Sequence, residues 1–352
     1  MAQVGRRAQQ ELPKPPVPSD PLELVTGNAQ PVQDVSHRAE IVNLLEDAHQ
    51  RSNVRAQAYD LKTTFTVSGS LSSGVWQEED MSPAKKLYRW NIQGPGYSAV
   101  NMNVNRVFYS SQPSGALPLR LLQFREAIFY TAPVVGPHAA IRTANASLNG
   151  VDLVCALIVH NAVTPTATGG RRWEEEEYCV DPKAGTLITY SPAPGYYVLY
   201  DYSKALQFHG KQIANAFTIS LAGQTVIEAQ TESITDPVNN PAAFQTAGLN
   251  QIGVGPVMTP AWRSRVGMPS TVQSATSQMV VLHGMQAPSG QVSDVELLAS
   301  SDASLNEAAL AFASKWQGRM MGQDAEDGVT PQSHEVVMTI EYSSPQPAAP
   351  AE

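Results

Sequence analysis

From residue 59 to residue 235 the chain is written mostly in period two. Tyr59, Leu61, Thr63, Phe65 and Val67 alternate with polar residues. The run from Val75 to Met81 follows, then one in which Tyr88, Trp90 and Ile92 share a parity, then one shared by Val100, Met102 and Val104. Similar runs begin at 107-VFYSS, 139-AAIRTANASL, 151-VDLVCALIV, 186-TLITYS, 196-YYVLYDYS, 213-IANAFTISL and 225-TVIEAQTESI. Successive side chains of a strand point to opposite faces, so each run reads as a strand with one face toward a core. Strands at this spacing, about ten of them, predict one strongly curved antiparallel sheet, an unclosed barrel. One helix precedes this pattern and a second interrupts it. The first takes Ser36 as its N-cap and aligns Ile41, Leu44, Leu45 and Ala48; the second is 119-LRLLQFREAIFY.

A different order closes the chain. The strand 278-QMVVLHGMQ is followed by a turn at Gly290 and the strand 291-QVSDVELLASS. Ser304 and Glu307 have capping-box spacing, and Leu305, Ala309, Phe312, Ala313 and Trp316 form one helical stripe behind them. In 334-HEVVMTIEY, residues His334, Val336, Met338, Ile340 and Tyr342 take one face, leaving Glu335, Val337, Thr339 and Glu341 on the other. Strand, strand, helix, strand predicts a small ββαβ domain, so the class is mainly β with an α+β C-terminal domain. The division expected is a disordered Pro-rich segment (1–36), a β domain (37–235), an extended linker rich in Pro, Gly, Asn and Ala (236–276), the small domain (277–343) and a disordered tail (344–352).

A length of 352 residues with 42% hydrophobic content suits two domains with cores of their own. The net charge of −9 argues against nucleic acid and anionic membrane surfaces as partners. No run approaches a membrane-spanning length, so no transmembrane segment is expected. The polar start MAQVGRRAQQELPKPPVPSDP shows no signal peptide; a mature secreted chain whose signal has been removed, with Met1 added before Ala2, is expected, and a native cytosolic tail is the alternative.

Cys155 and Cys179 lie in strand-like runs on either side of 164-TPTATGG. A hairpin centred on residue 167 sets them opposite each other, close enough for a disulfide. Such a bond belongs to an oxidising compartment. Two unpaired buried thiols are the alternative. The same pairing sets Leu153 and Leu157 against the parity of Glu175 and Glu177, and the acid run Glu174 to Glu177 reads as a solvated hairpin end beside Arg171 and Arg172.

Signals for catalysis are scarce. The seven histidines show no H-x-x-x-H spacing, and no G-x-S-x-G, Walker loop or G-x-G-x-x-G occurs. The acidic 324-DAEDG puts Gln323, Ala325 and His334 on calcium-ligand positions, which does not suit the ion. No catalytic residue, metal or cofactor is expected.

Two stretches carry family resemblances. S-P-A-K-K-L-Y-R-W (82–90) resembles a strand of the LolA-like family of periplasmic lipoprotein carriers, and D-Y-S-K-A-L-Q-F-H-G-K-Q-I (201–213) resembles a late segment of the broader family. This resemblance implies a helical lid over a cavity for acyl chains, with Arg89 helping to hold the lid and Trp90 in the wall. Phe65, Trp76 and Tyr88 join them as candidates for contact with a hydrophobic ligand; ordinary core is the alternative for the aromatics, and the solvent face for Arg89. G-x-V (290–292), S-S (300–301), L-x-x-A-A-L (305–310), Trp316 and the final V-V-M-T-I-E-Y resemble the C-terminal domain of the TonB family. That implies docking of an envelope protein by strand addition along Glu335, Val337, Thr339 and Glu341. Glu335 and Glu341 as guards against edge aggregation are the alternative.

The combined expectation is a non-enzymatic periplasmic binding protein, a carrier of lipid or acylated ligand coupled to a docking module. The competing expectation is an envelope adaptor or structural protein whose barrel is filled by its own side chains.

Overall fold

The computed structural model describes residues 23–112, 117–129, 133, 135–160, 168–252, 262–269, 278–317 and 333–343. The chain enters through a two-residue strand β1 (Gln30–Pro31) and helix α1 (Val35–Ser52). A meander follows: β2 (Tyr59–Val67), β3 (Gly74–Ala84), β4 (Leu87–Gly94), β5 (Tyr97–Val104) and β6 (Val107–Ser110). After helix α2 (Leu119–Phe129) come β7 (Ala140–Leu148), β8 (Val151–Val159), β9 (Glu176–Asp181), β10 (Thr186–Ala193) and β11 (Tyr196–Asp201). A separate small hairpin, β12 (Leu206–Phe208) and β13 (Lys211–Ile213), precedes β14 (Ala216–Leu221), β15 (Gln224–Thr235) and the short β16 (Asn250–Ile252).

Fourteen of these strands form one sheet in the order β1-β7-β8-β9-β10-β11-β14-β15-β2-β3-β4-β5-β6-β16. Its ends, β1 and β16, do not meet, so the expected unclosed sheet is present. One face of nearly every strand contributes to a single apolar cluster that also holds Ile41, Leu45 and Ala48 of α1 and Leu121, Phe124 and Ala127 of α2. The sheet therefore wraps around both helices. Asp34, rather than Ser36, caps α1, accepting from His37 N at 2.9 Å.

The cysteine hairpin forms as the spacing predicts. Cys155 is paired with Cys179 in register, and the two are joined by a disulfide with their Cα atoms 4.0 Å apart. Closing a loop of this length contributes about 3 kcal/mol in the chain-entropy account. The acid run is not a solvated end. Glu175 and Glu177 are 1% and 0% exposed. Arg142 on β7 donates twice to Glu175, at 2.6 and 2.7 Å, and Arg171 lies 3.6 Å from Glu177. Burial, opposed by Arg171, holds the Glu177 carboxyl well above its usual range. The Pro-rich start is also not free over its whole expected span. From Glu23 the chain is placed against the sheet, with Val25 and Ala29 covering Leu153, Cys155 and Leu157, and β1 extending the sheet beside β7.

The small domain comprises β17 (Trp262–Pro269), β18 (Gln278–Gln286), β19 (Val292–Ser300), α3 (Asn306–Ala313) and β20 (His334–Ser343). Asp302, not a Ser304–Glu307 box, receives the Ser304 N–H ahead of α3. The strand order is β17-β20-β18-β19. Part of the expected linker is thus a strand, running parallel to β20 with Trp262 opposite Val336 and Ser343 opposite Pro269. One sheet face packs Val280, Leu282, Val336, Met338 and Ile340 under Leu305, Ala309 and Ala313. The other sends Met279, Val281, Met285, Leu298 and Val337 into the core of the large sheet. Burial on both faces accounts for the continuous apolar runs of β18 and β20. The contact is close: a Cβ on Gly195, in the β10–β11 turn at φ +81°, would come within 2.1 Å of the Leu298 carbonyl oxygen.

Candidate functional site

Helix α2 has no apolar stripe. Arg120, Gln123, Arg125 and Glu126 are interspersed with leucine and phenylalanine, and all of its residues but Ile128 are buried. A helix buried on every side is stable only when its polar groups find partners there. Each of these four does.

Phe124 fills the trough of the sheet. Its ring centroid lies 3.8 Å from that of Phe65 and 5.7 Å from that of Phe217. Phe65 in turn stacks on Trp76 at 5.8 Å. Trp76 lies flat against β4 at Gly94, where a Cβ would come within 2.1 Å of the indole, so only glycine fits.

Arg125 joins α2 to β3 and β4. It donates to Glu78, to Asp80 Oδ2 at 2.8 Å and to the Tyr88 hydroxyl. Its guanidinium carbon sits 3.9 Å from the Trp90 ring centroid, a cation–π contact. Asp80 also accepts from the hydroxyls of Tyr59 at 2.8 Å and Tyr88 at 2.6 Å. One cation here faces two carboxyls. Burial, opposed by Arg125 and reinforced by Asp80, pushes the Glu78 carboxyl up to about 8. Near neutral pH Glu78 keeps its proton, which leaves Arg125 and Asp80 as the ion pair.

Toward its start α2 meets the small domain. Arg120 donates to both oxygens of Glu296 on β19, at 2.6 and 2.7 Å. Gln123 Nε2 donates to Glu335 on β20 at 2.7 Å. On the opposite side Glu126 accepts from Tyr190 at 3.1 Å, and the Ala127 carbonyl from Tyr200 at 2.7 Å.

Phe65, Trp76 and Trp90 are therefore brought together, each 1% exposed, around α2. Tyr88 belongs to the Arg125–Asp80 cluster. Arg89 does not join them: it lines a polar groove of about 690 Å³ with Lys62, Glu79 and Asn91 on the other face of the sheet. The arginine that holds the helix is Arg125, on the helix itself, and the acids are on the strand, the reverse of the expected arrangement. A signal for this was present: Glu78 and Asp80 share the inward parity of Trp76.

The proposed docking strand is likewise placed differently. β20 is hydrogen-bonded to β17 on one side and β18 on the other, so neither edge is open. Glu335 and Val337 are 3% and 2% exposed, turned toward the large domain. Thr339 lines a cleft of about 290 Å³ with Trp173, Arg265 and Met279. Glu341 accepts from Arg265 at 2.6 Å. The physical reason is β17, whose run WRSRVGMP lies inside a stretch rich in Pro, Gly and Asn that reads as linker.

No protein-family model matches the chain, and no curated protein matches its sequence. Several solved structures resemble it. A LolA superfamily protein from Nitrosomonas europaea is 9% identical with a TM-score of 0.39, covering 58% of this chain and 96% of its own. An outer membrane lipoprotein-sorting protein domain from Vibrio parahaemolyticus is 10% identical with a TM-score of 0.37, covering 57% and 95%. MucB is 11% identical with a TM-score of 0.27, covering 69% and 72%. The likeness is one of fold. No helix among the described residues is long and apolar enough to cross a membrane.

Proposed function

We propose that this chain is a non-enzymatic adaptor of the bacterial envelope, acting by protein contacts in the periplasm, on a LolA-like sheet whose trough is filled by its own second helix. The observation that carries this reading is α2. Phe124 occupies the space beside Phe65 and Phe217 where a hydrophobic ligand would lie. The cleft left between α2 and β11–β14, bounded by Val54, Ile128, Tyr200 and Phe217, measures about 40 Å³, a water-sized space. The disulfide supports an oxidising compartment. The small domain is read as a TonB-like contact module. Because β20 is enclosed, a partner strand has to add at β17 or β19, the outer strands of that sheet.

A second reading, a carrier of lipid or acylated ligand with α2 as its lid, is favoured by the wall that α2 covers. Phe65, Trp76, Trp90, Ile92 and Phe217 would line an apolar trough if the helix swung out. Titration of intact protein with a fluorescent fatty acid separates the two. The adaptor reading expects no saturable signal, and native mass spectrometry of protein from the periplasm showing no lipid-sized adduct. Saturable binding that unlabelled fatty acid competes away overturns it in favour of the carrier.

A further inference from the structure

We propose that His283 makes the attachment of the small domain to α2 a pH-sensitive joint, closed while its imidazole carries two protons and loosened once it is neutral. The inference concerns contacts within the chain and is independent of the partner it takes.

His283 sits on β18 at the meeting of four other elements, and its side chain is fully buried. From β20, Glu335 Oε1 lies 3.0 Å from Nδ1. From β19, Glu296 Oε2 lies 3.0 Å from Nε2. From α2, Gln123 Nε2 approaches Nδ1 at 3.3 Å, and Arg120 holds the same Glu296 carboxylate. From β11, the Tyr196 ring meets the imidazole edge-on, centroids 6.1 Å apart.

A neutral imidazole has a single N–H. In this setting it would turn a lone pair onto one carboxylate whichever tautomer it took. The imidazolium has an N–H at Nδ1 for Glu335 and puts its positive charge beside Glu296, whose Oε2 lies near Nε2 without hydrogen-bond alignment. Charge gives the same answer. Arg120 and His283 balance Glu296 and Glu335, and loss of the histidine proton leaves one negative charge in excess within a buried interface.

The direction of titration follows. Burial opposes the His283 proton, but its contacts with Glu296 and Glu335 outweigh burial and hold its pKa above the ordinary value. The Glu296 carboxyl, despite burial, is held below its ordinary value by His283 and Arg120. A histidine raised in the folded state contributes stability that is complete below about 6.5 and is lost as pH rises through the raised value. The joint is thus firm in mild acid and yields toward alkaline pH, and both halves of it, the small sheet and α2, are freed together.

The test reads the joint directly. In wild-type protein labelled with ¹⁵N-histidine, imidazole signals are followed from about pH 5.5 to about pH 9. His283 should show both nitrogens protonated at the acid end and should titrate above an ordinary histidine. Amide exchange in α2, corrected for intrinsic rate, should speed severalfold across that titration. In a Glu78→Gln background, where the other group titrating against α2 is silent, the acceleration should vanish in His283→Gln, which carries no proton to lose, and persist in His37→Gln, a change on the exposed face of α1. A neutral His283 at about pH 6 overturns the proposal, as does an acceleration that survives in His283→Gln. If that variant does not fold, the Glu78→Gln protein alone decides: α2 exchange that does not speed as His283 loses its proton overturns the proposal.

Discussion

The two helices inside the large sheet share one core and are held in it by different means. α1 spans 18 residues but buries only Ile41, Leu45 and Ala48, with its remaining faces toward solvent or half-covered. α2 spans 11 residues, is buried almost throughout, and is located by Arg120, Gln123, Arg125 and Glu126. Apolar burial is non-directional, so α1 is retained mainly by area, with Arg38 donating to the Ala139 and Gly136 carbonyls near its start. Hydrogen-bonded ion pairs demand one geometry, so α2 is retained in one register and one rotation. The contrast teaches that the trough is closed by specific pairing, which apolar complementarity alone would leave loose.

Removing the pairing should therefore cost most. Arg125→Ala leaves Asp80 buried without its cation and should lower stability by about 3–5 kcal/mol in urea denaturation. A loss below about 1 kcal/mol would mean that α2 is held as α1 is, and the comparison fails. Leu45→Ala should cost about 2–3 kcal/mol, the scale of a truncated leucine at a partly covered helix. A larger loss than that of Arg125→Ala would reverse the ranking. The smallest effect has the opposite sign. Glu78, raised to about 8 in the folded state, keeps a proton that the unfolded chain releases above its ordinary value of 4.5. Its contribution is complete below that ordinary value and is lost as pH rises through about 8. Glu78→Gln keeps the neutral shape at every pH, so near neutrality it should gain on the order of 1 kcal/mol, and less in acid. Thermal midpoints of both proteins across that range decide it; a variant less stable at neutral than at acid pH, relative to wild type, contradicts the assignment.

What could be read in the residues was local. Alternation marks β2, β4, β5 and β20, and symmetric spacing pairs Cys155 with Cys179. The span 119–129 is recognisable as a helix, yet its lack of a stripe signals burial only once something to surround it is known. The partners of the buried charges were not readable, because they come from elements far apart in the chain. Arg142 reaches Glu175 from β7, and Arg125 reaches Glu78 from α2. Apolar β8 against acidic β9 was the visible mismatch; Arg142 from β7 and Arg171 from the hairpin's own loop resolve it. The enclosure of β20 was hidden for another reason. A parallel partner has no turn to announce it, and β17 lies where Pro, Gly and Asn suggest a linker.

The order of the large sheet bears on how the chain reaches this state. Strands β2–β6 pair with their sequence neighbours, and so do β7–β11 and, farther on, β14 and β15. A single seam zips these two meanders together, with Val67 opposite Ile227 and Asp60 opposite Thr235. Every other pair within the two meanders can form as the chain emerges; this one waits for residue 235, as β1–β7 and β6–β16 wait for their own distant partners. Until then β2 and β15 are raw edges. Their solvent faces carry Lys62 on one strand and Glu228 and Glu232 on the other. Glu228 and Glu232 repel a second copy of the β15 edge, while Lys62 on β2 pairs with Glu79 of β3. The seam thus carries its own protection against aggregation during the interval in which it is unpaired.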